Sequence, residues 1–138
     1  MDTKTMLLLF ALFVSFCGCI KAPPCLNMQF DVLAGADRII ITDNTGKPLR
    51  HVTEPSEIKQ ISGFALSHRS GWETPWSGTP IAPIRANFYQ NNRFIGDLGV
   101  GDDFLTSQGC GRFQYRPVSE TDRQWIMKLF SVEDPYRD

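Results

Sequence analysis

The side chains best suited to metal binding or nucleophilic chemistry in this 138-residue sequence are four cysteines and two histidines. They are Cys17, Cys19, Cys25, Cys110, His51 and His68. A structural zinc site is typically built from two closely spaced pairs of ligands. No second pair follows the first three cysteines, and neither histidine lies near them in sequence. The spacing therefore indicates no metal site, and we expect no cofactor.

Cys110 is the cysteine that a thiol mechanism would use. It lies between Gly109 and Gly111, where another backbone or a substrate can approach closely. A thiol nucleophile needs a base within hydrogen-bond reach, and His51 and His68 are the candidates. The sequence alone does not bring either histidine to Cys110. A thiol enzyme is therefore the alternative function, and a disulfide at Cys110 is the simpler interpretation.

Aromatic residues form a second candidate site. Trp72 and Trp76 lie in a segment, 71–83, whose prolines and glycines exclude regular secondary structure. Arg85 and Tyr89 follow on the outward side of a predicted strand. Exposed tryptophans on a rigid loop commonly bind peptides or sugars, which predicts a ligand-binding surface formed by these four residues. The same residues can instead close the open edge of a small hydrophobic core.

An apolar run from Met6 to Phe16 dominates the N-terminal residues. Its length of about 11 residues fits the apolar region of a signal peptide and is short of the roughly 20 that a membrane-spanning helix needs. A buried core helix would show polar positions at helical spacing, and this run has none. The run therefore predicts a signal peptide.

The stretch Phe16-Cys17-Gly18-Cys19 resembles the lipobox of bacterial lipoproteins, with Gly18 in the small position before Cys19. Phe16 and Cys17 stand where that family usually has leucine and a small residue. The resemblance covers residues 1–19 and implies cleavage before Cys19 and attachment of a lipid such as palmitate to its sulfur. It implies a lipid-anchored protein of the cell envelope. With Ile20 rather than Asp after Cys19, it further implies the outer membrane, facing the periplasm, in a Gram-negative cell.

The two remaining cysteines are expected to pair. In an oxidising compartment such as the bacterial envelope, Cys25 and Cys110 should form a disulfide if the fold brings them together. The bond would close a loop of about 86 residues, for which the chain-entropy estimate is roughly 4–5 kcal/mol of stabilisation.

The charge pattern limits the classes of partner. The chain has a formal net charge of −1, and its lysines and arginines form no run. Nucleic-acid binding calls for a clustered basic face, so we expect no nucleic-acid partner. The expected partners are the membrane, through the lipid anchor, and a protein, peptide or glycan. We therefore expect an envelope binding or interaction module rather than an enzyme.

The elements that must position these residues follow from hydrophobic periodicity. We expect a signal peptide over 1–18, the lipidated cysteine and a tether over 19–27, and a single domain over 28–138. Strands are predicted over 28–33, 38–42, 49–52, 84–89, 93–98, 104–107 and 113–116. One helix is predicted to open near Pro55 and to end before Ser70, and a second, capped by Ser119, to bury Trp125. The predicted fold is α+β, a small antiparallel sheet with two helices packed on one face.

Overall fold

The computed structural model describes residues 30–78, 80–108 and 112–136. The six strands of this part of the chain are β1 (Arg38–Asp43), β2 (Pro48–Val52), β3 (Ile84–Gln90), β4 (Arg93–Val100), β5 (Phe104–Ser107) and β6 (Gln114–Pro117). The helical elements are a 3-10 helix, η1 (Phe30–Gly35), and two α-helices, α1 (Pro55–Ser67) and α2 (Glu120–Phe130). The strands form one antiparallel sheet in the order β2-β1-β3-β4-β5-β6, which confirms the predicted α+β fold.

The core lies between one face of the sheet and the two α-helices. Ile39 and Ile41 of β1 pair in register with Phe88 and Ala86 of β3, and Ala86 pairs in turn with Leu98 of β4. All five are fully buried. The helices cover them with apolar side chains in the same core cluster, namely Ile58, Ile61, Phe64 and Ala65 of α1 and Ile126, Met127 and Phe130 of α2. We call this side of the sheet the helix face and the other side the open face.

Arg50 joins the sheet to both helices. Its guanidinium donates to Glu57 of α1 at 2.7 and 3.0 Å and to the carbonyl oxygens of Leu129 and Phe130 at 3.2 and 3.3 Å. The last carbonyls of an α-helix have no partner within the helix, and a cation there also complements the helix dipole. One side chain of the edge strand β2 therefore fixes the end of α2 against α1.

The predicted first strand is wrong for the part that the structure describes. Residues from Phe30 form η1 instead, with Phe30 and Leu33 buried and Val32 exposed. The alternation of Phe30 and Val32 suggested a strand, but the buried pair is spaced by three residues, which is the period of a 3-10 turn.

The prediction that Trp125 is a core residue is also wrong. The buried stripe of α2 is formed by Arg123, Ile126, Met127 and Phe130, and the Trp125 side chain on its flank remains 46% exposed. The Arg123 guanidinium stays charged in this position because it donates to both carboxylate oxygens of Asp134 at 3.0 Å. Those hydrogen bonds raise the pKa of Arg123 above its ordinary value. A charged residue thus takes the place in the stripe that the sequence pattern gives to tryptophan.

The connection from α1 to β3 passes around one edge of the sheet. Because β3 lies in the middle of the sheet, the chain must travel from the helix face to an interior strand. Glu73 forms an antiparallel bridge to Tyr115 on the outer side of β6. Further along, Ala82 lies against Gly99 of β4. Gly99 pairs with Arg85 of β3, and both residues lie on the open face of the sheet. The segment therefore rounds the β6 edge and crosses the open face before it enters β3.

Gly99 provides the space for this crossing. A Cβ atom at this position would overlap the Thr106 hydroxyl oxygen and lie 2.7 Å from the Cβ atom of Ala82. Real Cβ atoms do not approach other atoms so closely, so any side chain at Gly99 must push the crossing segment off the sheet. The requirement for glycine here is steric.

We expect Gly99→Val to lower the free energy of unfolding by about 2 kcal/mol, the typical cost of overpacking a filled site. The matched control is Gly63→Ala in the middle of α1, where no atom lies within 4 Å of the added Cβ. That change should stabilise the protein by about 1 kcal/mol, the helix-propensity difference. Denaturant titration followed by tryptophan fluorescence measures both. Equal midpoints for Gly99→Val and the parent chain would show that the segment does not press on Gly99.

Candidate functional site

Three of the predicted site residues lie outside the described part of the chain. They are Cys19, the predicted lipidation site, and Cys25 and Cys110, the predicted disulfide. The lipid anchor, the disulfide and the thiol mechanism therefore stay predictions. Of the two bases considered for Cys110, His51 is exposed on the edge strand β2, and His68 is buried with both ring nitrogens in polar contacts.

Trp72 belongs to the core rather than to a binding surface. Its side chain is 6% exposed, and its ring meets the ring of Phe30 edge-on with centroids 5.3 Å apart. Its indole N–H donates to the carbonyl oxygen of His68 at 2.7 Å, at the end of α1. Buried indoles need such a partner, and this one is fully satisfied. Trp72 is thus removed from the predicted ligand-binding set.

Trp76, four residues further on, is in the opposite situation. Its side chain is 95% exposed, the highest value among the large apolar residues that the structure describes. It borders an open hollow of about 440 Å³ on the outside of the β6 edge. We define the Trp76 surface as the residues around this hollow, which are Pro75, Trp76, Ser77, Gly78, Pro80 and Tyr115.

The Trp76 surface is held in place by hydrogen bonds to β6. The Glu73 N–H donates to the Tyr115 carbonyl at 2.8 Å, and the Tyr115 N–H donates back to the Glu73 carbonyl at 2.9 Å. The Arg116 guanidinium donates to the Ser70 carbonyl at 2.7 Å. Two prolines flank Trp76 within the surface and restrict its backbone further. The exposed indole is therefore displayed by an ordered support.

Arg85 and Tyr89 share the open face of β3 but are engaged with neighbours inside the fold. The Arg85 guanidinium donates to the Asp97 carboxylate, which is almost fully buried. The other oxygen of that carboxylate accepts from the backbone N–H of Gln108 at 2.9 Å. Tyr89 has the Arg38 guanidinium 4.9 Å above its ring. Both predicted site residues therefore have partners within the sheet.

The predicted four-residue surface divides among three places in the fold. Arg85, Gly99, Thr106 and Tyr115 form one row across β3, β4, β5 and β6. At about 4.8 Å per strand, Arg85 lies roughly 14 Å from Tyr115 and the Trp76 surface, with the crossing segment between them. Trp72 lies on the helix side of the same edge. Trp76 is the member that is free to meet a ligand.

A second concave surface, between α1 and α2, was not predicted. It is a hollow of about 450 Å³ whose apolar walls are Phe64 and the half-exposed Trp125, stacked with centroids 5.6 Å apart. Lys59, the buried His68 and its half-exposed partner Asp122 also line it. The sequence of α2 could have predicted this surface. Arg123, Ile126 and Phe130 form a complete helical stripe, so Trp125 lies beside the stripe and stays partly exposed.

Ser67, His68 and Asp122 resemble a catalytic triad by type but not by hydrogen bonding. The Nδ1 atom of His68 lies 2.8 Å from the Phe64 carbonyl oxygen and 2.9 Å from Ser67 Oγ, and Nε2 lies 3.2 Å from Asp122. The Phe64 carbonyl and the Asp122 carboxylate can only accept, so both ring nitrogens carry a proton in these contacts. The Ser67 hydroxyl donates to the same carbonyl at 2.7 Å. His68 thus has no lone pair for the serine proton, and the group serves to cap α1.

We expect nitrogen NMR of the isotope-labelled chain to show a proton on Nδ1 of His68, because the Phe64 carbonyl accepts from it. The exposed His51 is the internal control and should show the averaged tautomers of a solvated imidazole. A bare Nδ1 with the proton on Nε2 would contradict the cap and restore Ser67 as a candidate nucleophile.

Two further observations bear on the site. Within residues 30–78, 80–108 and 112–136, no group of three or more histidine, cysteine or acidic side chains is arranged to hold a metal ion. No helix in this described part is long and apolar enough to cross a membrane.

Comparison of the chain with family models, with curated proteins and with solved structures finds no match.

Proposed function

We propose that this protein is a lipid-anchored module of the bacterial cell envelope that acts by binding a partner at the Trp76 surface. The observation that carries the proposal is the 95% exposure of Trp76 on a support that is hydrogen-bonded to β6. An indole buries roughly 150 Å² or more when it is covered, which is worth about 4 kcal/mol at 25 cal/mol per Å². A partner that covers Trp76 gains this free energy.

The lipid anchor is supported by the residues around Cys19. Gly18-Cys19 follows an apolar run of signal-peptide length. The segment 19–29 would then connect the lipid to the domain. Ile20 after the lipidated cysteine favours the outer membrane, facing the periplasm, in a Gram-negative host.

We expect Cys19→Ala to abolish incorporation of a labelled fatty acid when the full-length chain is expressed in bacteria, because the acceptor sulfur is removed. Cys17→Ala is the matched control, since Cys17 would be discarded with the signal peptide, and it should keep the label. Protein from each culture is isolated and its bound label is measured. Retention of the label by Cys19→Ala would refute the anchor at this residue.

The binding surface is tested in the same host with a photo-crosslinking amino acid at position 76. We expect irradiation of cells to produce a covalent adduct from position 76, because the exposed side chain there would face the partner. The matched control places the same crosslinker at position 125, the other partly exposed tryptophan. Adducts from position 125 and none from position 76 would move the binding site to the hollow between the helices. Adducts from neither position would overturn the binding function.

A further inference from the structure

We propose that the partner of the Trp76 surface is a phospholipid bilayer, into whose interface Trp76 and Ile81 insert. This inference rests on the lipid anchor of the proposed function. It assigns lipid as the partner of the Trp76 surface. The experiments would also detect a protein or glycan partner.

The first support is the chemistry of the exposed side chains. Trp76 is 95% exposed and Ile81, on the same segment, is 70% exposed. The sequence from Thr74 to Ala82 contains no ionisable residue. Tryptophan favours the boundary between headgroups and acyl chains, and an isoleucine gains by entering the acyl region. An uncharged segment can enter that region without the cost of desolvating a charge.

The same side chains suit a sugar or a peptide less well. Sites for polar ligands add oriented donors and acceptors to their apolar surface. The hydroxyls of the Trp76 surface are those of Ser77 and Tyr115, and the Tyr115 hydroxyl already donates to the Glu73 carboxylate at 3.4 Å. A bilayer accounts for both exposed residues at once.

The second support is that both ends of the segment are fixed to the sheet. The Glu73–Tyr115 bridge holds its beginning, and Ala82 against Gly99 holds its end, immediately before Ile84 enters β3. Ordering a flexible loop at an interface would cost conformational entropy for each residue. The contacts at Glu73 and Ala82 lower that cost, because they fix the two ends of the segment.

The third support is the position at which the N-terminal segment enters the fold. Phe30, the first described residue, packs against Trp72 with ring centroids 5.3 Å apart. Trp76 is four residues beyond Trp72, at most about 14 Å along an extended chain. The eleven residues from Cys19 to Phe30 span at most about 40 Å, so a lipid on Cys19 keeps the domain close to the bilayer. The chain therefore enters the domain on the helix side of the same sheet edge, within reach of the Trp76 surface.

The inference is tested by quenching of tryptophan fluorescence with brominated lipid. The full-length chain is purified in detergent from bacterial membranes. It is then reconstituted into phosphatidylethanolamine–phosphatidylglycerol vesicles with and without bromine on the acyl chains. The matched variants are Trp76→Phe and Trp125→Phe, and the buried Trp72 is a constant background in both. We expect Trp125→Phe to retain the quenching of the parent chain and Trp76→Phe to lose most of it.

The outcomes separate this inference from the anchor. Co-flotation with vesicles but no quenching in the parent chain would leave the anchor standing and overturn insertion. Quenching that persists in Trp76→Phe would overturn it as well. Failure to co-float would refute the anchor and with it this inference. Adducts from position 76 to protein or peptidoglycan, rather than to lipid, would keep the binding function and replace its partner.

A charge placed on the segment provides a second measurement. Ile81→Asp should reduce the quenching of Trp76, because a carboxylate resists entry into the acyl region. Leu49→Asp is the matched control, since Leu49 is an exposed apolar residue on β2, at the other edge of the sheet. It should leave the quenching unchanged. Equal quenching in the two variants would show that Ile81 does not reach the bilayer.

Discussion

The route from α1 to β3 is the constraint on which the rest of this structure depends. β3 is an interior strand, and the contacts of Glu73 with Tyr115 and of Ala82 with Gly99 show that the chain rounds the β6 edge and crosses the open face to reach it. The crossing is feasible because Gly99 has no side chain at the point where Ala82 and the Thr106 hydroxyl approach it. This path places one tryptophan on each side of the sheet edge, Trp72 inside and Trp76 outside.

The two faces of the sheet are stabilised by different interactions. The helix face buries apolar side chains beneath α1 and α2, and Arg50 satisfies the last carbonyls of α2. The open face carries a buried carboxylate, Asp97, which is stabilised by Arg85 and by the Gln108 N–H. Because a buried charge needs such partners, Arg85 is committed to the fold. Of the predicted ligand-binding residues, Trp76 is the one whose side chain remains almost fully exposed.

Much of the fold was predictable because its signals are local. Three consecutive isoleucines formed β1, the alternation from Ile84 to Phe88 formed β3, and Ser119 capped α2 by accepting from the Asp122 N–H. The two wrong predictions, for Phe30 and Trp125, also have physical causes. Phe30 was assigned to a strand because its alternation with Val32 dominated the window. Trp125 was assigned to the core because hydrophobicity alone ranked it above Arg123, whose burial depends on hydrogen bonds to Asp134.

The sequence by itself determined most of the strands and both α-helices, the α+β class and the irregular segment that carries two tryptophans. It also contains the lipobox-like residues from which the anchor is proposed. The tertiary structure alone decided which tryptophan is exposed, because Trp72 and Trp76 share the same local composition and differ in distant contacts. The Phe30 ring and the His68 carbonyl bury the first. The Glu73–Tyr115 bridge leads the chain outside the sheet before it reaches the second, and no local pattern encodes such a pairing.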